Sequence, residues 1–262
     1  MHGYADCSIL QSEQIYDRCG LLERPLDNYY KEIDVVTTPH GAPVAMVHVN
    51  NFTSEITAWT NLFAEVVAIG GGSIERGKLF DTLYQISLSA DEELGGLMGY
   101  NFLAGEPIAN VARGIPMITR NPAGKLTLAN FMKMHIYSAL GSLSIGCDIL
   151  KNENVQIDAI CGHGGFFKSE FVGQSAMSAA AGAPITVMKN ASEGGAFGIA
   201  LLALFAYENG TDLDVFLDEI FKNTEKSTVL ASDEEIDTFK AFMQKYKSGL
   251  DVERHAAEVF NA

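Results

Sequence analysis

The sequence predicts an α/β fold, a mixed sheet flanked by helices, and residues 158–206 carry most of that prediction. A short apolar run, Ile157 to Cys161, leads into a glycine cluster at Gly162, Gly164 and Gly165. A helix of small residues is expected from Ser169 to Ala181, stopped by Gly182, and Ile185 to Met188 read as a second short strand. Ser192 and Glu193 then open a helix, Ala196 to Ala206, too apolar to be anything but buried. Strand, glycine turn, helix, strand, helix is an α/β unit. Its turn suits an anion: glycines let a ligand approach the main chain, and the next helix would present unpaired N–H groups and the positive end of its dipole. A tight turn alone would also explain the glycines. The dinucleotide fingerprint fails, because its third glycine would fall at Phe167.

The rest of the chain is read from periodicity and punctuation. Residues 1–22 are mixed and polar and read as a lead-in. Glu32 to Thr38 and Pro43 to Val49 are apolar runs around Pro39-His40-Gly41-Ala42, a β-hairpin with a short loop. Thr53 or Ser54 can cap a helix whose Ile56, Trp59, Leu62, Phe63 and Val66 follow the helical period. Asn50 to Ser54 also places hydroxyls, amides and a helix N-terminus after a strand, which makes it a candidate second phosphate-facing turn; simple capping is compatible with that role. Gly72, Gly77 and Lys78 satisfy a P-loop up to its last letter, where Leu79 replaces the Ser or Thr that would hold Mg²⁺. The run comes after an amphipathic helix, so a linker before a helix at Phe80 to Ser89 explains it better. Leu97 to Leu103 read as a short buried segment, with Glu106 after it as a cleft, rim or capping carboxylate. Leu126 to Leu150 form a long helix whose His135 is expected to be structural. Asp212 to Lys222 and Asp233 to Ser248 alternate charged and apolar residues, as solvated helices packed by one face do, and Glu253 to Ala262 is a last helix or a frayed end.

Composition limits the function. The 262 residues carry 33 acidic and 18 basic side chains, a formal charge of −15, which argues against DNA and anionic membranes as partners. An apolar content of 47% with 19% charged residues is that of a folded globule. Cys7, Cys19, Cys147 and Cys161 form no CxxC pair, so free thiols are expected, Cys161 buried. The histidines show no zinc spacing. No apolar run reaches the length of a membrane span, and a cytoplasmic location is the expectation.

Several ordered motifs resemble those of the FGGY carbohydrate kinases, in their C-terminal domain. Gly164-Gly165-Phe-Phe-Lys168-Ser169, then Gln174, Gly182, Pro184-Ile185, Glu193 and Gly198, are similar to the family's glycine segment and the residues downstream of it. Upstream, Tyr100 to Pro107 resembles the family's PYLxGERxP pattern, Ala112-Arg113-Gly114 its ARG, and Trp59 sits where the family often has a tryptophan. The resemblance runs from about Arg24 to Tyr246. It implies one lobe of a ribonuclease H-like, actin-type ATPase, with 1–22 unassigned and 23–262 as the nucleotide-binding domain.

The resemblance further implies ATP and Mg²⁺ as cofactors and phosphoryl transfer to a sugar hydroxyl. Gly164, Gly165, Lys168 and Ser169 would contact the nucleotide, with Ser54 near its phosphates. The family's sugar pocket and catalytic aspartate belong to an N-terminal half, and its GT[ST] loop has no counterpart here, where the only Gly-Thr is Gly210-Thr211. No catalytic residue is therefore assigned, and the chain alone is expected to be inactive on sugars. The competing expectation is a non-catalytic α/β domain with vestigial nucleotide binding. Loss of a partner lobe would expose an apolar cleft face, so self-association is a secondary expectation.

Overall fold

Three sheets and seven helices account for the residues that the computed structural model describes: 8–10, 26–37, 43–155, 157–167, 169, 171–188, 194–208 and 210–260. In chain order the elements are β1 (Ser8–Leu10), β2 (Ile33–Thr37), β3 (Pro43–Val47), α1 (Ser54–Ile69), α2 (Arg76–Ile86), β4 (Leu97–Tyr100) and β5 (Met117–Arg120). Then come α3 (Leu128–Asn152), β6 (Ala159–Gly162), α4 (Val172–Ala181), β7 (Ile185–Met188), α5 (Gly194–Tyr207), α6 (Leu213–Phe221), β8 (Lys226–Val229) and α7 (Asp233–Phe260). The largest sheet has the order β1-β6-β7-β8: β6 and β7 are parallel, joined through α4, and the two outer strands run antiparallel to their neighbours. β2–β3 and β4–β5 are antiparallel pairs. The mixed sheet flanked by helices is the fold class that the sequence predicts.

Helix α3 is the spine. The Thr127 hydroxyl accepts the Asn130 N–H at 3.2 Å and starts it. Its apolar residues Met132, Met134, Ile136, Tyr137, Leu140, Leu143, Cys147 and Leu150 are buried, and so are Ser138, Ser142 and Ser144 between them. A helix buried on nearly every side needs neighbours on every side, and α1, α2, α4, α7, β3 and β4 supply them. Helix α7 crosses β4 closely: a Cβ at Gly249 would stand 2.1 Å from the Tyr100 Oη, and that hydroxyl donates to the Tyr246 carbonyl at 2.9 Å.

Several expectations are corrected by the structure. Residues 233–260 are one continuous helix rather than two, and α2 begins at Arg76 rather than Phe80. Strands β5 and β8 have no counterpart in the sequence reading, and Ser8–Leu10 of the lead-in form β1. Cys161 is partly exposed instead of buried, while Cys7, Cys19 and the hairpin loop at Pro39–Ala42 lie outside the described residues. The largest correction concerns α5. Phe197, Ile199, Leu202, Leu204 and Tyr207 are exposed, Ile199 by 70%, and Leu201 is its buried residue among those described. Apolar content states what a helix requires, and the described elements cover α5 on one side only. There α6 meets it through Phe205–Phe216 and Phe197–Phe221, with ring centroids 5.4 and 6.0 Å apart.

Two glutamates fasten peripheral segments to this core, and their surroundings shift them in opposite directions. Glu153, just beyond α3, accepts the Asn28 Nδ2–H and Tyr30 O–H, each at 2.7 Å, and the Asp27 N–H at 2.6 Å, so its carboxyl is pushed down to about 2. Glu253 on α7 has no exposed surface. It accepts the Ile115 N–H at 3.1 Å through one oxygen, while the other finds no partner among the described residues; burial therefore pushes it up to about 7.

Linkage gives the signs. Glu153, lowered from 4.5, contributes stability that is present above 4.5 and lost as pH falls through about 2. Glu253, raised from 4.5, contributes stability that is present below 4.5 and lost as pH rises through about 7. Urea unfolding as a function of pH is expected to show Glu253→Gln gaining on the wild type above pH 7 and matching its trend below 4.5. Parallel curves for the two proteins would refute a buried titrating carboxyl at this position.

Candidate functional site

Four glycines lie around the turn after β6, and they divide into two kinds. A Cβ on Gly162 would stand 2.7 Å from the Phe167 ring, and one on Gly173 would stand 2.3 Å from the Phe166 carbonyl oxygen. Those two are required by internal packing. A Cβ on Gly164 or Gly165 would meet none of the described residues within 4 Å. Gly164 has φ +91°, a conformation that side-chain-bearing residues rarely adopt, whereas Gly165 carries no such backbone demand. Among the described residues nothing fills the space in front of this pair, as close approach of a ligand to the main chain requires.

The segment after the turn departs from expectation. A 3₁₀ turn, Gly165–Phe167, comes next, and α4 begins at Val172 rather than near Ser169. Ser169 therefore sits in the connection, 2% exposed, its hydroxyl with no hydrogen-bond partner among the described residues. Lys168 and Glu193 lie outside the described residues.

Ser54 is the first residue of α1 and is half-buried. Thr53 precedes it as the N-cap and makes no side-chain capping bond, whereas Thr127 caps α3 and Asp212 caps α6. The two turns meet through their aromatic residues. Phe52, two positions before Ser54, packs on Phe166 of the glycine turn with centroids 4.8 Å apart, and Tyr84 closes on Phe166 at 6.0 Å. Sequence reasoning names both turns but not this contact.

Glu106 lies behind the second turn with no exposed surface. Its carboxylate accepts the N–H groups of Asn50 at 3.0 Å and Asn51 at 3.1 Å, and the Asn51 Nδ2–H at 3.2 Å. The Asn51 Oδ1 in turn accepts the N–H groups of Leu103 at 2.8 Å and Ala104 at 2.9 Å, and its Nδ2 donates to the Ala104 carbonyl. Hydrogen bonds to a charged group contribute about 1.5–3 kcal/mol each, so this set can offset much of the cost of removing a carboxylate from water. Burial nevertheless dominates and raises the Glu106 carboxyl above its ordinary range. Glu106 is neither a cleft nor a rim carboxylate: buried, it holds the main chain of the turn that precedes α1.

The P-loop-like run is taken up by its own side chain. Glu75 caps α2, its carboxylate accepting Gly77 N–H at 2.9 Å and Lys78 N–H at 2.8 Å, the groups a phosphate would need. His135 is structural, as expected. It is 1% exposed, its Nδ1 is 2.8 Å from the Asn101 Oδ1, its ring packs on Phe131 and Trp59, and burial lowers it to about 4. Among the described residues no cluster of three or more His, Cys, Asp or Glu is placed to hold a metal, and no helix is long and apolar enough to cross a membrane.

Comparison with known proteins identifies the architecture. Among curated proteins no sequence relative matches. The fold is similar to that of a xylulose kinase from Rhodospirillum rubrum (TM-score 0.63, 11% identity, 85% of this chain and 42% of that one). It is also similar to a gluconate kinase from Lactobacillus acidophilus (0.63, 19%, 87% and 44%). A third likeness is to the Plasmodium falciparum glycerol kinase solved with ADP (0.58, 12%, 81% and 41%). The chain thus spans less than half the length of each, and its mixed α/β fold is the actin-type ATPase fold of their C-terminal domains. The model of the C-terminal domain of the FGGY family of carbohydrate kinases matches residues 19–207, and the chain belongs to that family.

Proposed function

We propose that residues 23–262 are the nucleotide-binding half of an ATP-dependent carbohydrate kinase. The observation that carries this reading is the meeting of two turns at Phe52 and Phe166: one offers Gly164 and Gly165 with no described residue in front of them, the other a helix whose N-cap, Thr53, makes no side-chain capping bond. Gly164 and Gly165 would lie against the nucleoside, and Lys168 and Ser169 enter as nucleotide contacts on the family resemblance alone. Ser54 and the first turn of α1 would face the phosphates. ATP supplies the phosphoryl group when bound, and Mg²⁺ enters with its phosphates. What this chain contributes is positioning and the exclusion of water by the aromatic floor of Phe52, Tyr84 and Phe166.

A base for the sugar hydroxyl is not part of this half. Glu106 is unsuited to the role, since it has no exposed surface and its carboxylate is held by Asn50 and Asn51. Phosphoryl transfer then needs an N-terminal lobe that brings the sugar and its base, in a cytoplasmic setting; pentuloses, hexuloses and polyols are the sugars to test. The second reading, a non-catalytic domain with vestigial binding, is favoured by the missing GT[ST] loop.

Calorimetric titration with Mg-ATP and Mg-ADP separates them. The wild type is expected to bind and Gly165→Val to weaken binding by more than about tenfold, a loss of at least about 1.4 kcal/mol. The first atom of that valine meets no described residue within 4 Å, so its thermal midpoint should stay near that of the wild type. Lys78→Ala is expected to bind as the wild type does; the reverse pattern would move the site to α2. Absence of binding to the wild type at millimolar nucleotide would favour the non-catalytic reading.

The exposed α5 supports self-association of the isolated chain. Sedimentation velocity is expected to show a concentration-dependent larger species that Ile199→Glu removes. A single monomer at every concentration would exclude it.

A further inference from the structure

We propose that Glu106 is the positioning residue of this site: its buried carboxylate sets the direction in which α1 leaves the strand and so places Ser54 beside the glycine turn. The inference rests on the nucleotide-binding reading, and it concerns a residue that touches no ligand.

A strand-to-helix turn offers an anion two sets of N–H groups, those of the turn and those of the first helical turn. Glu106 takes the first set, at Asn50 and Asn51. The N–H groups that Glu106 does not take lie further along, from Phe52 into the first turn of α1, where the N-cap residue Thr53 makes no side-chain capping bond. The buried carboxyl thus acts as an internal acceptor that occupies the turn and leaves the start of α1 to a ligand.

It can do so only if it is itself fixed. The Glu106 N–H donates to the Val111 carbonyl at 2.7 Å, and the Val111 N–H donates back to the Glu106 carbonyl at 3.0 Å. The Asn50 Nδ2–H adds a bond to the Gly105 carbonyl at 2.9 Å. The loop that carries Glu106 is therefore closed on itself at Val111 and tied to the turn that it holds through Gly105. Phe52 comes next in the chain and carries the constraint to Phe166 on the glycine turn. Position at Glu106 is transmitted to both halves of the site by contacts on the order of one side chain long.

Trp59 makes this testable, because it is the chain's one tryptophan and lies on α1 shortly after Ser54, packed on Phe131 with centroids 4.8 Å apart. Its emission reports the seating of that helix. The experiment measures Mg-ADP affinity by calorimetry, Trp59 emission and the thermal midpoint for the whole chain. It compares the wild type, Glu106→Gln and a core control, Phe239→Leu, whose ring packs on Tyr137 away from the site. Glutamine keeps the shape but turns one acceptor into a donor facing the donors of Asn50 and Asn51.

Glu106→Gln is expected to weaken Mg-ADP by about tenfold and to shift Trp59 emission in the ligand-free chain, while Phe239→Leu lowers the midpoint and changes neither. Wild-type binding that Glu106→Gln preserves overturns this proposal alone. Equal weakening by Phe239→Leu does the same, since the effect would then be general stability. A wild type that does not bind Mg-ADP overturns the nucleotide reading and this proposal with it. Should Glu106→Gln fail to fold, Asn50→Ala removes only the exposed bond to Gly105; a loss of about fivefold supports the proposal, and unchanged affinity overturns it.

Discussion

A carboxylate removed from water must be answered by donors, and the donors that answer Glu106 are the main chain of a turn. That exchange makes the β3–α1 connection rigid. Asn50 and Asn51 cannot move without stranding a buried carboxyl group, and Asn51 cannot move without releasing Leu103 and Ala104. The entry of α1, the seat of Phe52 and the contact with Phe166 all depend on this one arrangement. The fold therefore fixes its approach to the candidate site from behind, with a side chain that solvent does not reach.

The same logic, less fully satisfied, operates at the two ends of the core. Glu153 finds three good donors and stays ionised, holding residues 27–30 against the end of α3. Glu253 finds one and prefers its proton. The number of donors that reach a buried carboxyl, rather than burial alone, separates them. Glu253 consequently contributes more to the stability of the fold in mildly acidic than in alkaline solution.

The features legible in the sequence have local causes. Thr127 and the apolar period after it announce α3, and the alternation around residues 39–42 announces the hairpin. The glycine pair and Ser54 can be named because glycines, hydroxyls and helix starts have chemistry of their own. β5 and β8 cannot, since Met117–Arg120 and Lys226–Val229 are largely exposed and owe their order to the strands they pair with. Ser248 and Gly249 read as a break, yet the glycine is there to let α7 approach Tyr100. Glu106 and Asn51 stand 55 positions apart, and no pattern in either segment announces the other. Proximity between distant turns is a property of the folded core, and the meeting of Phe52 with Phe166 is of that kind.

Helix α5 has a consequence for how much of this chain persists in its folded form. A helix that is apolar all round and covered on one side leaves the native state with surface that water does not favour. Whatever binds that surface binds the folded chain and not the unfolded one, so by mass action the fraction folded rises with the concentration of the binder. Stability is then no fixed attribute of these 262 residues. It becomes a function of their company, and steady-state abundance would track the supply of whatever covers α5.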